Sequence, residues 1–431
     1  MPRLVIDLAP LRRSRDLRLL IGGQLVSVLG TQMTGVAVSY QVYRLTRSSL
    51  DVGLVSLAML PPLVVGALAG GAAADALDRR LLMLAVTVLM AGCSAGLAVN
   101  AGAATSLWPL YVLPAVAAGL SGFFDAALSA VIPNLVGRPD VATANAMFQA
   151  VFQLSLVAGP SAAGLLLAGT GIRFVYWIDV ASYAAAIVSV LLMGPQLPAR
   201  AADPGGADGG VRPARPTRAR VPGLRSLAEG LRFTRGRQAI QGAYLIDLNA
   251  TFFGLPRALF PALAATRFGG GASTVGFLYA APGAGALVGA LTTGWVGRVR
   301  RQGRAVIIAV LVWGAAIAAF GLVTWLAAAL ALLAIAGWAD VISAVFRNAI
   351  IQLSVPDAMR GRLMGVQIAV VTGGPRLGDV ESGAVAAAFG DTVSAVSGGL
   401  ACVAGALVLA RLLPGFRRQR AGQTDGPGGT D

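Results

Sequence analysis

The sequence predicts an all-α membrane protein with twelve transmembrane helices, and composition, apolar stretch length and arginine placement each support this prediction. Hydrophobic residues make up 56% of the 431 residues and charged residues only 12%. The mean hydropathy is +0.74. Since soluble domains carry about 25% charged residues, this composition is typical of a protein embedded in a bilayer.

Twelve stretches are long and apolar enough to be membrane spans, for which about 20 mainly apolar residues are needed. The predicted spans of the first half are 17–42, 51–74, 81–101, 107–135, 141–168 and 173–193. Those of the second half are 239–264, 273–296, 304–325, 327–352, 362–388 and 392–413.

The basic residues predict how these spans are oriented. All 34 are arginine, against 19 acidic residues, and most fall in connections on one side of the predicted membrane. The opposite side carries only Arg44, Arg47, Arg173 and Arg267. This is the positive-inside pattern, so we expect both termini in the cytoplasm. The net charge of +15 then reflects topology, and we expect no nucleic-acid partner.

Three absences from the sequence exclude much chemistry. There is no lysine for a nucleotide-binding P-loop and no histidine for metal binding or proton transfer near neutral pH. Cys93 and Cys402 lie far apart in apolar stretches, so we expect neither a disulfide nor a zinc site. No nucleophile–base pair is evident either. We therefore expect no enzyme activity, no cofactor and no metal.

The connections divide the chain into regions. We expect an N-terminal six-helix bundle at 1–193, a cytoplasmic linker at 194–238, a C-terminal six-helix bundle at 239–413 and a disordered cytoplasmic tail at 414–431. Leu224, Leu227 and Leu231 recur at helical spacing among arginines, which predicts an amphipathic helix on the inner membrane surface.

The two halves repeat one another. Gly66-Ala-Leu-Ala-Gly70 recurs as Gly285-Ala-Leu-Val-Gly289, at a spacing of 219 residues. Asp125 and Asp340 precede a second matching pair of segments, 129–134 and 343–348. Both copies have the same orientation, which requires an even number of spans in each half. Two parallel six-helix halves with a site between them near the bilayer midplane are typical of a secondary transporter.

The chain resembles the major facilitator superfamily over essentially its whole length. Gly71, Asp75, Arg79 and Arg80 match that superfamily's signature between spans 2 and 3, although Ala76 replaces a basic residue and Asp78 a glycine. The segments Phe174–Asp179, Arg360–Arg362 and Gly373–Gly383 are similar to its bacterial enterobactin-exporter branch of drug:proton antiporters.

This resemblance implies proton-coupled export of a small molecule, either a siderophore or a hydrophobic drug-like compound, by alternating access. Gly159, Pro160 and Gly164 resemble the antiporter signature and favour export. The resemblance also implies a monomer in the bacterial inner membrane, with the lipid bilayer, the substrate and the proton as partners. The alternatives are an importer of a small nutrient and a transport-dead membrane receptor or scaffold.

The resemblance gives the signature residues a role as a conformational switch. Asp75 would latch the two halves in one state and release them in the other. The alternative is an ordinary loop charge for Asp75 and simple topology anchors for Arg79 and Arg80.

Ionisable residues inside spans are the candidates for proton coupling, because such residues are energetically costly in a bilayer. The candidates for proton coupling or cavity lining are Asp125, Asp247, Asp340, Glu381 and Arg376. For any one acid, a static helix–helix pair is an equally good interpretation. We expect Arg376 to pair with Asp379, three residues on, which leaves Glu381 freer. Asp179 lies in a peripheral span, where a structural role is preferred.

Overall fold

The computed structural model describes residues 9–103, 106–194, 224–355 and 357–420, and all of its regular elements in these ranges are helical. The α-helices are α1 (Ala9–Arg13), α2 (Arg15–Thr46), α3 (Ser49–Ala76), α4 (Arg79–Gly102), α5 (Trp108–Leu135), α6 (Val141–Gly169), α7 (Ile172–Leu191), α8 (Leu224–Thr234), α9 (Gln238–Phe253), α10 (Phe260–Thr266), α11 (Ala272–Leu291), α12 (Gln302–Leu322), α13 (Leu326–Ser354), α14 (Asp357–Phe389), α15 (Asp391–Leu412) and α16 (Pro414–Arg418). Short 3-10 turns occupy Arg138–Asp140, Arg257–Leu259 and Thr293–Arg298.

Ten of the described helices are long and apolar enough to cross a membrane, namely α2 to α7, α11 to α13 and α15. The remaining two predicted spans correspond to α14, which is 33 residues long, and to α9 and α10, which divide one span between them. The predicted all-α fold with two six-helix bundles is confirmed. We refer to α2–α7 as the N half and to α9–α15 as the C half.

The outer surface of the bundles is apolar. Leu81 and Ile308, for example, are 61% and 60% exposed. Large apolar side chains exposed on this scale are rare on soluble proteins. They are expected where a helix faces hydrocarbon, so this surface is the one that contacts the lipid bilayer.

Capping side chains fix where two helices of the N half begin. The Ser48 hydroxyl accepts a hydrogen bond from the Asp51 amide at 3.2 Å, at the start of α3. Asp78 does the same for the amide of Arg80 at 2.8 Å, at the start of α4. Serine and aspartate are strong N-cap residues. The aspartate that departs from the superfamily signature thus has a local structural role.

The repeated glycine motif packs helices in the same way in both halves. In the N half, Gly66 lies against the Gly119 backbone, which brings α3 close to α5. In the C half, Gly285 lies against the Ala334 backbone and brings α11 close to α13. A side chain at either glycine would clash with a main-chain carbonyl. Small residues allow this close approach of membrane helices.

The linker helix and the end of the chain pack on the C half. Phe233 of α8 packs in an apolar cluster with Tyr244 and Leu363. The prediction of a disordered tail is wrong for residues 414–420, because Phe416 is fully buried against Gly242 and Gly303. The Gln238 side chain also accepts a hydrogen bond from the Gly415 amide at 2.7 Å. Residues 421–431 and 195–223 lie outside the described part of the chain.

The two halves touch at one face of the bundle, opposite the face that carries α1, α8 and α16. We name these the far face and the terminus face. Near the far face, Ser49 at the start of α3 donates a hydrogen bond to Asp391 at 2.7 Å, and Gly164 of α6 packs against Gly276 of α11. At the terminus face, Asp75 at the end of α3 and Leu291 at the end of α11 are exposed.

Candidate functional site

Two adjoining cavities lie between and within the halves. The first, of about 480 Å³, is lined mainly by C-half helices together with Phe152 and Leu156 of α6; we name it the C-side cavity. The second, of about 320 Å³, is lined mainly by N-half helices together with Arg376 and Asp379 of α14; we name it the N-side cavity. Leu156, Arg257 and Tyr279 line both, so the cavities meet at these residues.

The C-side cavity contains a buried ion pair. Asp247 of α9 and Arg347 of α13 lie 2.5 Å apart, with 8% and 9% of their side chains exposed. Asp340, two helical turns before Arg347, lines the same cavity. Sequence analysis singled out Asp247 and Asp340, and the structure brings them together. Their pairing across two helices could not be read from the sequence.

The N-side cavity contains an acid of a different kind. Asp179 of α7 is 1% exposed and accepts hydrogen bonds from Thr34 at 2.8 Å, Ser94 at 2.6 Å and Ser182 at 3.2 Å. These hydroxyls come from α2, α4 and α7 itself. Because several donors satisfy the carboxylate, it joins three helices. This arrangement fits the structural role preferred for Asp179.

Asp379 lies where the halves meet, and the prediction that it pairs with Arg376 is wrong. Arg376 is not within salt-bridge distance of Asp379; instead it donates a hydrogen bond to the carbonyl of Thr372 at 3.0 Å. Asp379 is 7% exposed and accepts from Ser56 of α3 at 2.7 Å. One carboxylate oxygen, Oδ2, therefore takes its partner from the N half rather than from its own helix.

Arg257 is the residue at the junction of the cavities. It follows a break in the seventh span, where Gly254, Leu255 and Pro256 interrupt the helical run between α9 and α10. Trp313 donates to the Gly254 carbonyl at 2.7 Å, and Tyr279 donates to the Arg257 carbonyl at 3.0 Å. Non-helical backbone at membrane depth is tolerated where it lines a cavity. The sequence predicted one continuous span at 239–264; Pro256, two residues after Gly254, is the sequence feature that marks the break.

Two further candidates lie outside both cavities. Asp125 is exposed on α5, one turn beyond Ser121, which lines the N-side cavity. It therefore does not occupy the place in the N half that Asp340 occupies in the C half. Glu381 is partly buried and lines neither cavity. Because it is two residues from Asp379, it points to a different side of α14.

The signature residues at the end of α3 make two kinds of contact. Arg79 donates to the Ala74 carbonyl at 3.2 Å and the Ala130 carbonyl at 3.0 Å, and Arg80 donates to the carbonyls of Val190 and Leu191. The two arginines therefore join the ends of α3, α5 and α7 within the N half. Asp75, by contrast, makes no side-chain hydrogen bond and no ion pair within the described residues, and Gly71 has no side chain to make one.

The glycine–proline motif of α6 lies at two interfaces. Gly159 packs on Gln32 of α2, within the N half. One turn later, Gly164 faces Gly276 of α11, and the Pro160 carbonyl also lies against Gly276. Pro160 and Gly164 therefore stand at the contact between the halves, whereas Gly159 does not.

Comparison with known proteins assigns the chain to a family. Residues 6–420 match the family of transmembrane secretion effectors, which belongs to the major facilitator superfamily. The chain belongs to this family. It is a multi-pass membrane transporter and not an enzyme.

The curated relatives agree with this assignment. Enterobactin exporter EntS of Shigella boydii serotype 18 and of Escherichia coli O139:H28 are each 29% identical to the chain over 422 residues. Both alignments cover 96% of this chain and 96% of the relative.

Solved structures share the fold at lower identity. A POT family transporter, solved in complex with a thioalcohol-conjugated peptide, matches with a TM-score of 0.70 and 13% identity. The match covers 93% of this chain and 96% of that one. A bacterial homologue of the lysosomal transporter Spinster, described as inward-facing and unoccupied, matches with a TM-score of 0.66 and 16% identity, covering 93% and 95%. These similarities support the major facilitator fold.

Proposed function

We propose that this transporter exports a small molecule from the cytoplasm across the bacterial inner membrane by proton-coupled alternating access. Both termini lie in the cytoplasm, and the protein acts as a monomer. The 1–193 and 239–413 bundles move as units about the linker. The preferred substrate is a siderophore, and a hydrophobic drug-like compound is the second candidate.

One observation carries this proposal: the halves meet at the far face and part at the terminus face. Ser49 with Asp391, Ser56 with Asp379 and Gly164 with Gly276 all make contact towards the far face. With the termini in the cytoplasm, this form of the protein is closed to the outside and open inwards. An exporter must load its substrate in such a state.

The substrate class is supported by the relatives and the cavity walls. The relatives that align along almost the whole chain are named enterobactin exporters. The cavity walls combine aromatic residues such as Phe260 and Trp313 with a few charged groups. Sites of this composition suit ligands with an apolar body and a small number of polar groups.

Proton coupling would use carboxylates, because the chain contains no histidine. Asp340 and Asp247 both line the C-side cavity. Desolvation favours the neutral carboxyl form and an adjacent arginine favours the charged form. A change of state that alters either the wetting of Asp340 or the pairing of Asp247 would therefore bind or release a proton.

Transport in inside-out vesicles tests the proposal. Vesicles containing the protein should accumulate enterobactin when the proton gradient is imposed, and a protonophore should abolish this accumulation. Enterobactin leaving the vesicles under the same gradient would indicate import instead. Unchanged accumulation in the presence of the protonophore would overturn proton coupling.

Substitution of the acids then tests their role. Asp340→Asn and Asp247→Asn should each reduce gradient-driven accumulation. Asp51→Asn is the matched control, because Asp51 lies at the start of α3 outside both cavities. If Asp125→Asn, Asp247→Asn and Asp340→Asn all kept full proton-driven transport, carboxylate coupling at these positions would be refuted.

A further inference from the structure

Arg257 occupies a place suited to hold a ligand. It lines both cavities at their junction, and the hydrogen bonds from Tyr279 and Trp313 fix the backbone on either side of the helix break. A ligand in either cavity would therefore lie next to the same guanidinium. Discontinuous helices near the midplane are a common location for transporter binding sites.

The other arginines at the cavities already have partners. Arg347 is paired with Asp247, and Arg376 donates to the Thr372 carbonyl. Within the described residues, the Arg257 side chain has no acid within 4 Å and makes no hydrogen bond. A guanidinium carries five N–H donors and binds best to paired oxygens such as those of a carboxylate.

Three other charged residues line the cavities that meet at Arg257. Asp379 and Arg376 line the N-side cavity, and Asp340 lines the C-side cavity. One Asp379 oxygen, Oδ2, accepts from Ser56, and within the described residues neither Asp379 nor Asp340 lies within the 4 Å salt-bridge distance of the guanidinium. Neither acid therefore occupies the fork of the guanidinium, which is free to receive an oxygen-bearing group.

The surrounding walls define the rest of the ligand. Leu156, Phe260 and Tyr279 line the C-side cavity together with Arg257. Such walls favour a flat apolar body, and the arginine favours an anionic head.

We propose that Arg257 is the substrate-anchoring residue, and that the transported compounds are aromatic molecules bearing a carboxylate or an equivalent pair of anionic oxygens. This inference rests on the proposed transport function, because it names the chemical class that the transport site would accept. Arg376 adds positive charge on the N-side of the junction.

A matched pair of probes tests the inference by binding alone. The probes are 3-hydroxy-2-naphthoate, an aromatic anion, and its neutral amide 3-hydroxy-2-naphthamide, titrated calorimetrically into purified full-length protein at low salt. The wild type should bind the anion about tenfold more tightly, as one charge-assisted hydrogen-bonded pair provides. Arg257→Gln should reduce this preference to less than about twofold, while Arg257→Lys should retain part of it.

Arg267→Gln is the control for loss of an arginine, since Arg267 lies at the far face and donates to the Leu322 and Val323 carbonyls. It should keep the full preference for the anion. A wild type with no preference, or an Arg257→Gln variant that keeps it, would overturn the inference. Neither result bears on enterobactin efflux, so the two proposals fail separately.

Discussion

The two halves share a helix plan but differ in where they carry charge. In both, a repeated glycine pair packs the second helix on the fourth, through Gly66 and Gly285. The cavity-lining acid of the N half, Asp179, is held by hydroxyl groups. The C half instead presents arginines and acids, and its first span is broken beside Arg257. The charged groups that line the cavities therefore lie mainly in the C half.

The largest expected effect is a loss of stability on replacing the buried acids, Asp247 in the C half and Asp179 in the N half. Asp247→Asn leaves Arg347 buried without its counter-charge and should lower the free energy of unfolding by roughly 3–5 kcal/mol. Asp179→Asn keeps an oxygen acceptor for the hydroxyls and should cost about 1–3 kcal/mol. Unfolding of both variants in detergent gives the comparison. Equal losses would show that the halves hold their acids in the same way.

The glycine repeat should respond equally in both halves. Gly66→Ala and Gly285→Ala each place a methyl group against a main-chain carbonyl and should destabilise by about 1–3 kcal/mol. Gly294→Ala is the control, because nothing stands within 4 Å of a side chain there. The same unfolding measurement applies. A loss confined to one half would contradict the structural equivalence of the repeats.

Local features of the fold could be predicted from the sequence, whereas contacts between distant residues could not. Span boundaries were predicted within a few residues, because apolar length and caps such as Ser48 are local signals. The partner of Asp379 could not be predicted, since Ser56 is 323 residues away in the chain. Asp125 and Asp340 occupy matching positions in the sequence repeat, but only Asp340 lines a cavity. The repeat alone does not show which side chains a cavity encloses. Phe416 of the tail is buried by packing that composition does not reveal.

The signature at the end of α3 differs from its counterpart in the C half, where Gly294 replaces the acid. If Asp75 latches the halves in the outward-open state, Asp75→Asn should slow transport roughly tenfold, which is the size of a typical coupling between sites. Membrane abundance should stay unchanged. Asp78→Asn is the control, since asparagine also caps a helix. Normal transport by Asp75→Asn would refute the latch.

A smaller effect is expected at the contact between the halves. Ser49→Ala removes the hydrogen bond to Asp391, which is worth about 1 kcal/mol, and should favour opening of the far face about fivefold. The labelling rate of a cysteine introduced at Val52, which is 4% exposed, reports this opening. Ser189→Ala, which alters a hydroxyl bonded within its own helix, should leave the rate unchanged.

Alternating access requires the two halves to rock against each other, and paired distances between them test this motion most directly. Spin labels at Asn145 and Leu291 report the terminus face, and labels at Thr170 and Gly271 report the far face. On addition of enterobactin under a proton gradient, the first distance should shorten while the second lengthens. Distances that both stay constant, or that change in the same direction, would contradict alternating access between these two halves.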